Sequence, residues 1–169
     1  MTQILVAYGT RYGSTREVAE AVAATLREQG IDTDVKQARE VRSLDGYDAV
    51  VLGTPLYLGA LHKDVRALLE KSRAALERSP LALFALGPIK ADDGLDGSRA
   101  QLIGALAKLP APTPVSTAVF VGAYDPALLG FRDKMLTALP ASPLHGEGAH
   151  DDRDWDAIRG WAREVATSL

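Results

Sequence analysis

The chain has 169 residues, 47% of them hydrophobic, which predicts one globular domain spanning residues 1–169. Its 19 lysines and arginines and 22 aspartates and glutamates give a formal net charge of −3 at pH 7, so nucleic acid is not expected as a partner. Because the chain contains no cysteine, disulfides, thiolate nucleophiles and cysteine-ligated metal clusters are excluded, and redox chemistry would require a borrowed cofactor.

A glycine-containing turn near the start joins a predicted strand to a predicted helix. Residues 4–7 form a short apolar run, as in a strand buried on both faces, and apolar residues recur at helical spacing over residues 18–26. The turn at residues 9–15 carries hydroxyl side chains, and Ser14 and Glu17 have the spacing of a capping box. Because a helix start presents free N–H groups, this turn is predicted to bind an anion.

The rest of the chain continues the alternation of strands and helices. Further strands are predicted at residues 31–35, 47–53, 80–86 and 115–121, and helices after residue 62, at 98–108 and at 155–169. This alternation predicts an α/β fold with a parallel sheet and helices on both faces. Ligands of such sheets bind at the carboxyl ends of the strands, where the loops begin at Gly9, Thr54, Gly87 and Gly122. Thr54-Pro55 is expected to end the third strand, and the plain alternative for any one loop is ordinary turn chemistry.

Membrane insertion and export are not expected. No apolar run approaches the roughly 18 residues that span a bilayer, and the first residues enter a predicted core strand rather than a cleavable signal. The cytoplasm is therefore the expected location.

The first loop differs from three common motifs. It lacks the Gly-Lys-Ser/Thr of a Walker motif, and Gly9 and Gly13 do not have the spacing of the dinucleotide fingerprint. A receiver domain would place acidic residues after the first strand, where this chain has Tyr8, Gly9 and Thr10. Nucleoside triphosphates, NAD and phosphoryl transfer to aspartate are therefore disfavoured.

The stretch Thr10-Arg-Tyr-Gly-Ser-Thr15 resembles the phosphate loop of flavodoxins, whose usual pattern is Thr/Ser-x-Thr-Gly-x-Thr, with Tyr12 where a threonine is common. The resemblance implies a doubly wound, five-stranded flavodoxin-like sheet of order 2-1-3-4-5 that binds FMN noncovalently. Hydroxyl and backbone N–H groups would hold the FMN phosphate, and Arg11 would either add a charge-assisted bond or stay solvated. The loop residues assigned to the phosphate are Thr10, Arg11, Tyr12, Gly13, Ser14 and Thr15.

The second and third loops are where flavodoxins hold the flavin ring. The resemblance implies that Leu56, Tyr57 or Leu58 packs on the isoalloxazine, and that the Gly59–Ala60 peptide turns its carbonyl toward flavin N5 on reduction. The alternative is that Tyr57 covers the core and Gly59 caps a turn. The predicted cofactor-binding set also includes Pro55, Gly87 and Pro88.

Five polar residues invite a catalytic or metal-binding interpretation. His62, near the expected flavin edge, would transfer a proton during substrate oxidation or would simply be an exposed residue at a helix start. Asp92 and Asp93 are interpreted as solvated turn residues rather than as a metal or acid–base site. His145 and His150 lie in a glycine-containing stretch that is interpreted as a mobile linker, so no metal site is predicted.

Within the flavodoxin-like group, the chain is similar to the quinone-linked, flavodoxin-type protoporphyrinogen oxidases of haem biosynthesis. The similarity rests on the loop at residues 9–15, the spacing from Gly53 to His62, the segment at 118–135 and the ending at 154–165. It implies an enzyme that takes hydrogen from a porphyrinogen and passes electrons to a quinone.

One departure from that family concerns the segment after the fifth strand. There, Arg132 and Lys134 are balanced by Asp125 and Asp133, so attraction to anionic lipid is mostly absent and at most peripheral membrane contact is expected. Apolar side chains of this segment would form a face for a substrate or partner, or would pack on the domain, which is the favoured interpretation. These side chains are Leu128, Leu129, Phe131, Met135, Leu136 and Leu139.

Two principal function classes follow from the sequence. One is an FMN-dependent oxidoreductase with a porphyrinogen as a candidate substrate and a quinone as acceptor. The other is a small electron carrier that docks to redox proteins, although a net charge of −3 is low for a carrier with basic partners. A domain that has lost the cofactor is a third alternative, and a homodimer is left open.

Overall fold

The computed structural model describes residues 1–88 and 94–169, whose frame is a parallel sheet between two layers of helices. The strands are β1 (Gln3–Tyr8), β2 (Asp32–Gln37), β3 (Ala49–Tyr57), β4 (Ala60–Leu61), β5 (Leu81–Leu86), β6 (Ser116–Phe120), β7 (Ala123–Tyr124) and β8 (His150–Asp151). The helices are α1 (Ser14–Glu28), α2 (Lys63–Lys71), α3 (Arg73–Leu76), α4 (Asp96–Ala107), α5 (Phe131–Ala138) and α6 (Trp155–Ser168), with 3₁₀ turns at Ala38–Glu40 and Pro126–Leu128.

The five long strands are all parallel and lie in the order β2-β1-β3-β5-β6. Numbered as the five predicted strands, this is the order 2-1-3-4-5, so the predicted fold class is confirmed. There are also two short antiparallel pairs. Strand β4 pairs with the end of β3 in the main sheet, and β7 and β8 form a separate two-stranded sheet.

The apolar faces of the sheet are buried under different helices. On one face, α1 and α6 cover residues such as Ile4 and Val51, and on the other, α2 and α4 cover residues such as Leu5 and Leu52. Neighbouring residues of one strand thus point into opposite cores, as expected when both faces are covered. A ring cluster of Phe84, Phe120 and Trp161, with centroids 5.8–6.4 Å apart, joins β5, β6 and α6.

The prediction that Thr54-Pro55 ends the third strand is wrong, because β3 continues to Tyr57. Pro55 lies opposite Leu86 in the final pair of the β3–β5 ladder, where its missing N–H interrupts little pairing. Beyond that pair, β3 exchanges partners and pairs with β4, which makes a hairpin of the segment that was predicted to be a loop.

Residues 121–154, here called the excursion, leave the sheet after β6 and return to it at α6. The interpretation of the stretch around His145 and His150 as a mobile linker is wrong at its end, since β8 pairs with β7. The favoured interpretation that the apolar residues of this segment pack on the domain is also wrong for most of them. Leu128, Phe131, Met135, Leu136 and Leu139 are all more than half exposed.

No helix in the described part of the chain is long and apolar enough to cross a membrane.

Candidate functional site

The carboxyl ends of β1, β3, β5 and β6 bring four loops to one edge of the sheet. Backbone hydrogen bonds connect these loops: the N–H of Gly9 donates to the carbonyl of Gly53 at 2.9 Å, and the N–H of Gly87 to that of Phe120 at 2.8 Å. The N–H of Gly122 donates to the carbonyl of Pro88 at 2.9 Å. The predicted loops therefore lie together in the structure.

The first of these loops ends in a helix start without a side-chain cap. Gly13 is the N-cap residue of α1, with a left-handed φ of 95°, and it has no Cβ to strain there. The predicted capping box of Ser14 and Glu17 is wrong, because the turn at Gly13 places Ser14 inside the first turn of the helix. The hydroxyl of Thr10 instead accepts the N–H of Gly13 at 2.9 Å and shapes the loop.

The helix start offers several unused hydrogen-bond donors. The first intrahelical bond runs from the N–H of Glu17 to the carbonyl of Gly13 at 3.2 Å, so the preceding N–H groups of α1 point out of the helix end. Thr15 is 1% exposed, and its Oγ1 has no hydrogen-bond partner among the described residues. An orphaned hydroxyl beside free N–H groups fits an anionic group such as a phosphate.

His62 packs directly against the first loop. A Cβ on Gly9 would lie 2.6 Å from the His62 ring, so this close approach requires glycine. The N–H of His62 donates to the hydroxyl of Thr54 at 2.9 Å, and its Nδ1 accepts the N–H of Asp64 at 3.2 Å, which caps α2. Burial lowers the pKa of His62 below its usual value, opposed by the nearby Asp64 carboxylate.

The predicted proton-transfer role of His62 stays a prediction. Its Nδ1 is occupied by the helix cap, so the neutral ring carries its proton on Nε2. The ring is therefore oriented at the edge of the site with one nitrogen to exchange a proton.

The β3–β4 hairpin forms the second side of the site. Tyr57 pairs with Ala60 across a two-residue turn in which Leu58 and Gly59 have φ values of 49° and 73°, as a type I′ turn requires. Tyr57 is 52% and Leu58 92% exposed, so the alternative that Tyr57 covers the core is not supported. Leu56, by contrast, packs partly buried against the core. The hairpin thus leaves the aromatic side chain of Tyr57 and the aliphatic side chain of Leu58 available to a ligand of the site.

Arg11 connects the first loop to the hairpin and to the excursion. Its guanidinium lies 5.1 Å from the centre of the Tyr57 ring and 2.8 Å from Oδ2 of Asp133, a residue of α5. The hydroxyl of Tyr12 donates to the same carboxylate. In the structure Arg11 makes a charge-assisted bond to Asp133, and its predicted alternatives of a charge-assisted bond to the phosphate or plain solvation stay predictions.

Arg153, at the other end of the excursion, fastens that segment to the start of α1. Its side chain is 7% exposed, donates to the carbonyl of Ser14 at 3.2 Å and pairs with Glu17 at 2.6 Å and with Asp151. Hydrogen bonding from Arg153 lowers the pKa of Asp151. Sequence reasoning missed both Arg153 and Asp133, because ion pairs between residues so far apart in the chain leave no signal in local spacing.

The third loop is described only in part. A Cβ on Gly87 would lie 2.6 Å from Oγ of Ser98 and 2.9 Å from Val119, so β5 and α4 approach closely there. The carbonyl of Pro88 accepts from Gly122, as described above. Asp92 and Asp93 lie outside the described residues.

The remaining histidines lie in the excursion. Nδ1 of His145 lies 3.3 Å from the carbonyl of Thr137, and the His150 ring packs against Tyr124, with centroids 5.9 Å apart. Within residues 1–88 and 94–169, no group of three histidines, aspartates or glutamates is placed to hold a metal ion.

Comparisons with known proteins agree with this architecture. A family model described as a flavodoxin domain matches residues 5–150. Protoporphyrinogen IX dehydrogenase (quinone) from Escherichia coli K12 is 27% identical over 176 residues, covering 96% of this chain and 93% of that protein. An NAD(P)H dehydrogenase (quinone) from Cupriavidus metallidurans is 31% identical over 94 residues, covering 43% of this chain and 47% of that protein.

Solved structures of flavodoxins share the fold over the whole chain. A flavodoxin from Streptococcus pneumoniae has a TM-score of 0.62 and 18% identity, covering 99% of this chain and 100% of that one. Flavodoxin 2 from Bacillus cereus has a TM-score of 0.61 and 16% identity, with the same coverage of 99% and 100%. At these identities the likeness concerns the fold alone.

Proposed function

This chain belongs to the flavodoxin family, and from that premise we propose that it oxidises an organic substrate, with a porphyrinogen as the candidate, and passes the electrons to a quinone. FMN is the cofactor of the family, and the chain is an FMN-binding oxidoreductase. The flavin accepts and donates the electrons, while the protein holds it and excludes side reactions. Removing two hydrogen atoms from the substrate and reducing one quinone to one quinol balances each turnover.

The main support for the cofactor site is the set of unused hydrogen-bond donors at the start of α1. Free N–H groups before Glu17 and the orphaned hydroxyl of Thr15 supply donors that suit a phosphate at a helix N-terminus. Thr10 and Gly13 shape the loop around that position. These residues would hold the phosphate of FMN.

The hairpin supports the placement of the flavin ring. Tyr57 and Leu58 are exposed beside the phosphate loop, and a large apolar ring placed there would bury both side chains. His62 faces the same edge from the start of α2 and would hold or move a proton at Nε2. Backbone groups of Gly87 and Pro88 would meet the ring from the third loop.

The porphyrinogen and quinone assignment is supported by similarity over nearly the entire chain. The protein from E. coli that carries this name aligns with 96% of the present chain, so the excursion is included in the alignment. The excursion adds exposed apolar side chains such as Phe131 and Met135 on the helix whose Asp133 contacts the phosphate loop, and a lipophilic acceptor would favour such a surface.

A small electron carrier is the second candidate. The alignments with the two flavodoxins described above cover 99% of this chain and 100% of theirs. A carrier would use the exposed Tyr57 and Leu58 as a contact for a redox protein.

One experiment separates these functions. The purified protein is incubated with FMN, passed over a gel-filtration column and examined for a retained flavin absorption band. The loaded protein is then mixed with protoporphyrinogen IX and a quinone, without any redox protein. Substrate-dependent quinol formation supports the enzyme, whereas a retained flavin that forms no quinol here but exchanges electrons with a redox protein added afterwards supports the carrier. A protein that retains no FMN at saturating concentration contradicts both.

A further inference from the structure

Asp133 is a buried charged residue that contacts the phosphate loop. It lies on α5 and is 8% exposed. Its Oδ1 accepts from Nη2 of Arg11 at 2.9 Å, and its Oδ2 accepts from the hydroxyl of Tyr12. A buried carboxylate is costly unless it is paired, so its two partners on the phosphate loop are what make this position tolerable.

The same contacts join three separate segments. Arg11 belongs to the phosphate loop, stacks on Tyr57 of the hairpin and pairs with Asp133 of the excursion. Tyr12 stands where a threonine is common in flavodoxin phosphate loops, and its longer side chain reaches Asp133. The unusual residue of the loop is therefore one of the two loop residues that contact α5.

We propose that Asp133 is a positioning residue of the FMN site. Through Arg11 and Tyr12 it holds the phosphate loop and the Tyr57 ring in the arrangement that receives FMN. By linkage, FMN in turn holds α5 against the loop. This inference rests on the proposed placement of FMN at this loop, but the link between α5 and the loop is also testable without FMN.

The first test measures FMN affinity in Asp133→Asn, which keeps the shape of the side chain and removes its charge. The dissociation constant for FMN should rise about tenfold, which corresponds to about 1.4 kcal/mol. Asp45→Asn, an exposed residue at the opposite edge of the sheet, is the matched control and should bind FMN like the parent. Equal affinities in the two variants would overturn the proposal.

The second test uses trypsin, which cleaves after Arg132 and Lys134 within α5. Tyr12→Phe removes one bond to Asp133 and leaves the sequence of α5 unchanged. The ligand-free variant should be cut in α5 about threefold faster than the parent, because the loss of one hydrogen bond frees the helix more often. In the parent, added FMN should slow this cleavage.

The control for the second test is Tyr47→Phe, which removes a hydroxyl bonded to Asp34 and Lys36 at a distance from the site. Its α5 should be cut at the parental rate. Identical rates for both phenylalanine variants would refute the role of Asp133 even if Asp133→Asn fails to fold. A parent that binds no FMN would instead refute the proposed function and leave the trypsin result to decide the contact between α5 and the loop.

Discussion

Thr15 carries a buried hydroxyl without a partner, and Thr15→Val would remove it while keeping the shape of the side chain. The hydrogen bond that this hydroxyl would donate to a charged phosphate is worth about 1.5–3 kcal/mol, so FMN affinity should fall at least about tenfold. The free energy of unfolding of the ligand-free protein should stay the same or rise. Flavin titration and urea unfolding measure the two quantities.

Thr25→Val is the matched control for that prediction. Thr25 is equally buried in the same helix, but its hydroxyl donates to the carbonyl of Ala21 at 3.0 Å. FMN affinity should not change in this variant. If the two valine variants bound FMN equally well, the hydroxyl of Thr15 would have no part in the site.

His62 should make the stability of the protein depend on pH. Burial lowers its pKa in the folded state, so the unfolded chain binds the proton more readily. The stabilisation is complete above the ordinary histidine pKa of about 6.5 and is lost as the pH falls below that value. Urea unfolding at pH values from about 8 to about 5, which bracket the ordinary histidine pKa, measures this change in stability.

His62→Asn isolates that contribution, since asparagine also caps helices but does not titrate. The decline in stability below neutral pH should be shallower in this variant than in the parent. Parallel pH profiles would show that His62 is not responsible.

At the scale of elements, the β3–β4 turn contains a strained residue. Leu58 has a φ of 49° and is 92% exposed, and asparagine is preferred over leucine at this position of a type I′ turn. Leu58→Asn should raise the free energy of unfolding by about 0.5–1 kcal/mol. FMN affinity should fall in the same variant, because Leu58 is proposed to pack on the flavin ring.

Leu128→Asn provides the comparison for the turn. Leu128 is also exposed but lies in a 3₁₀ turn without positive φ. Its substitution should change stability by less than about 0.5 kcal/mol. A loss of stability in Leu58→Asn would mean that the leucine is held by packing rather than strained.

The regular elements could be predicted from the sequence, whereas their ends and long-range contacts could not. Apolar runs and helical spacing report burial directly, so the alternation of strands and helices followed from the sequence, whereas the order of the five parallel strands came from the resemblance to flavodoxins. The extension of β3 past Pro55 depends on a partner strand that local propensity does not include. The N-cap of α1 moved from the predicted position because the backbone turns at Gly13.

The same division holds for the site: its loops could be predicted from the sequence, whereas its long-range ion pairs could not. Loops at the carboxyl ends of parallel strands must share an edge, so the grouping of the first three loops followed from topology. Asp133 and Arg153 could not be found in this way, because a carboxylate on an exposed-looking helix and an arginine in a polar stretch resemble solvated residues. Only the fold shows that both are buried against the phosphate loop and α1.

At the scale of the whole molecule, the aromatic cluster should be a principal source of stability. Trp161 is 7% exposed, packs on Phe84 and Phe120, and donates from Nε1 to Oγ of Ser116 at 2.9 Å. Trp161→Ala should lower the free energy of unfolding by about 3–5 kcal/mol, since it empties a core position shared by three elements.

Trp155→Ala serves as the control for that substitution. Trp155 is only partly buried and stacks under the guanidinium of Arg153 at 4.7 Å, so its loss should cost about 1–2 kcal/mol. Thermal and urea unfolding of both variants would measure the difference. Similar losses would mean that the cluster is no more important than a surface contact.

The packing of α6 on α1 has a consequence for synthesis of the protein. Ile158 and Val165 of α6 share one core with Val18 and Val22 of α1, although these helices come from opposite ends of the described chain. Helix α6 is synthesised after all the strands of the sheet. A nascent chain that has already formed its strands therefore still exposes the apolar face of α1. Chaperone contact on the ribosome should therefore last until residues 155–168 emerge.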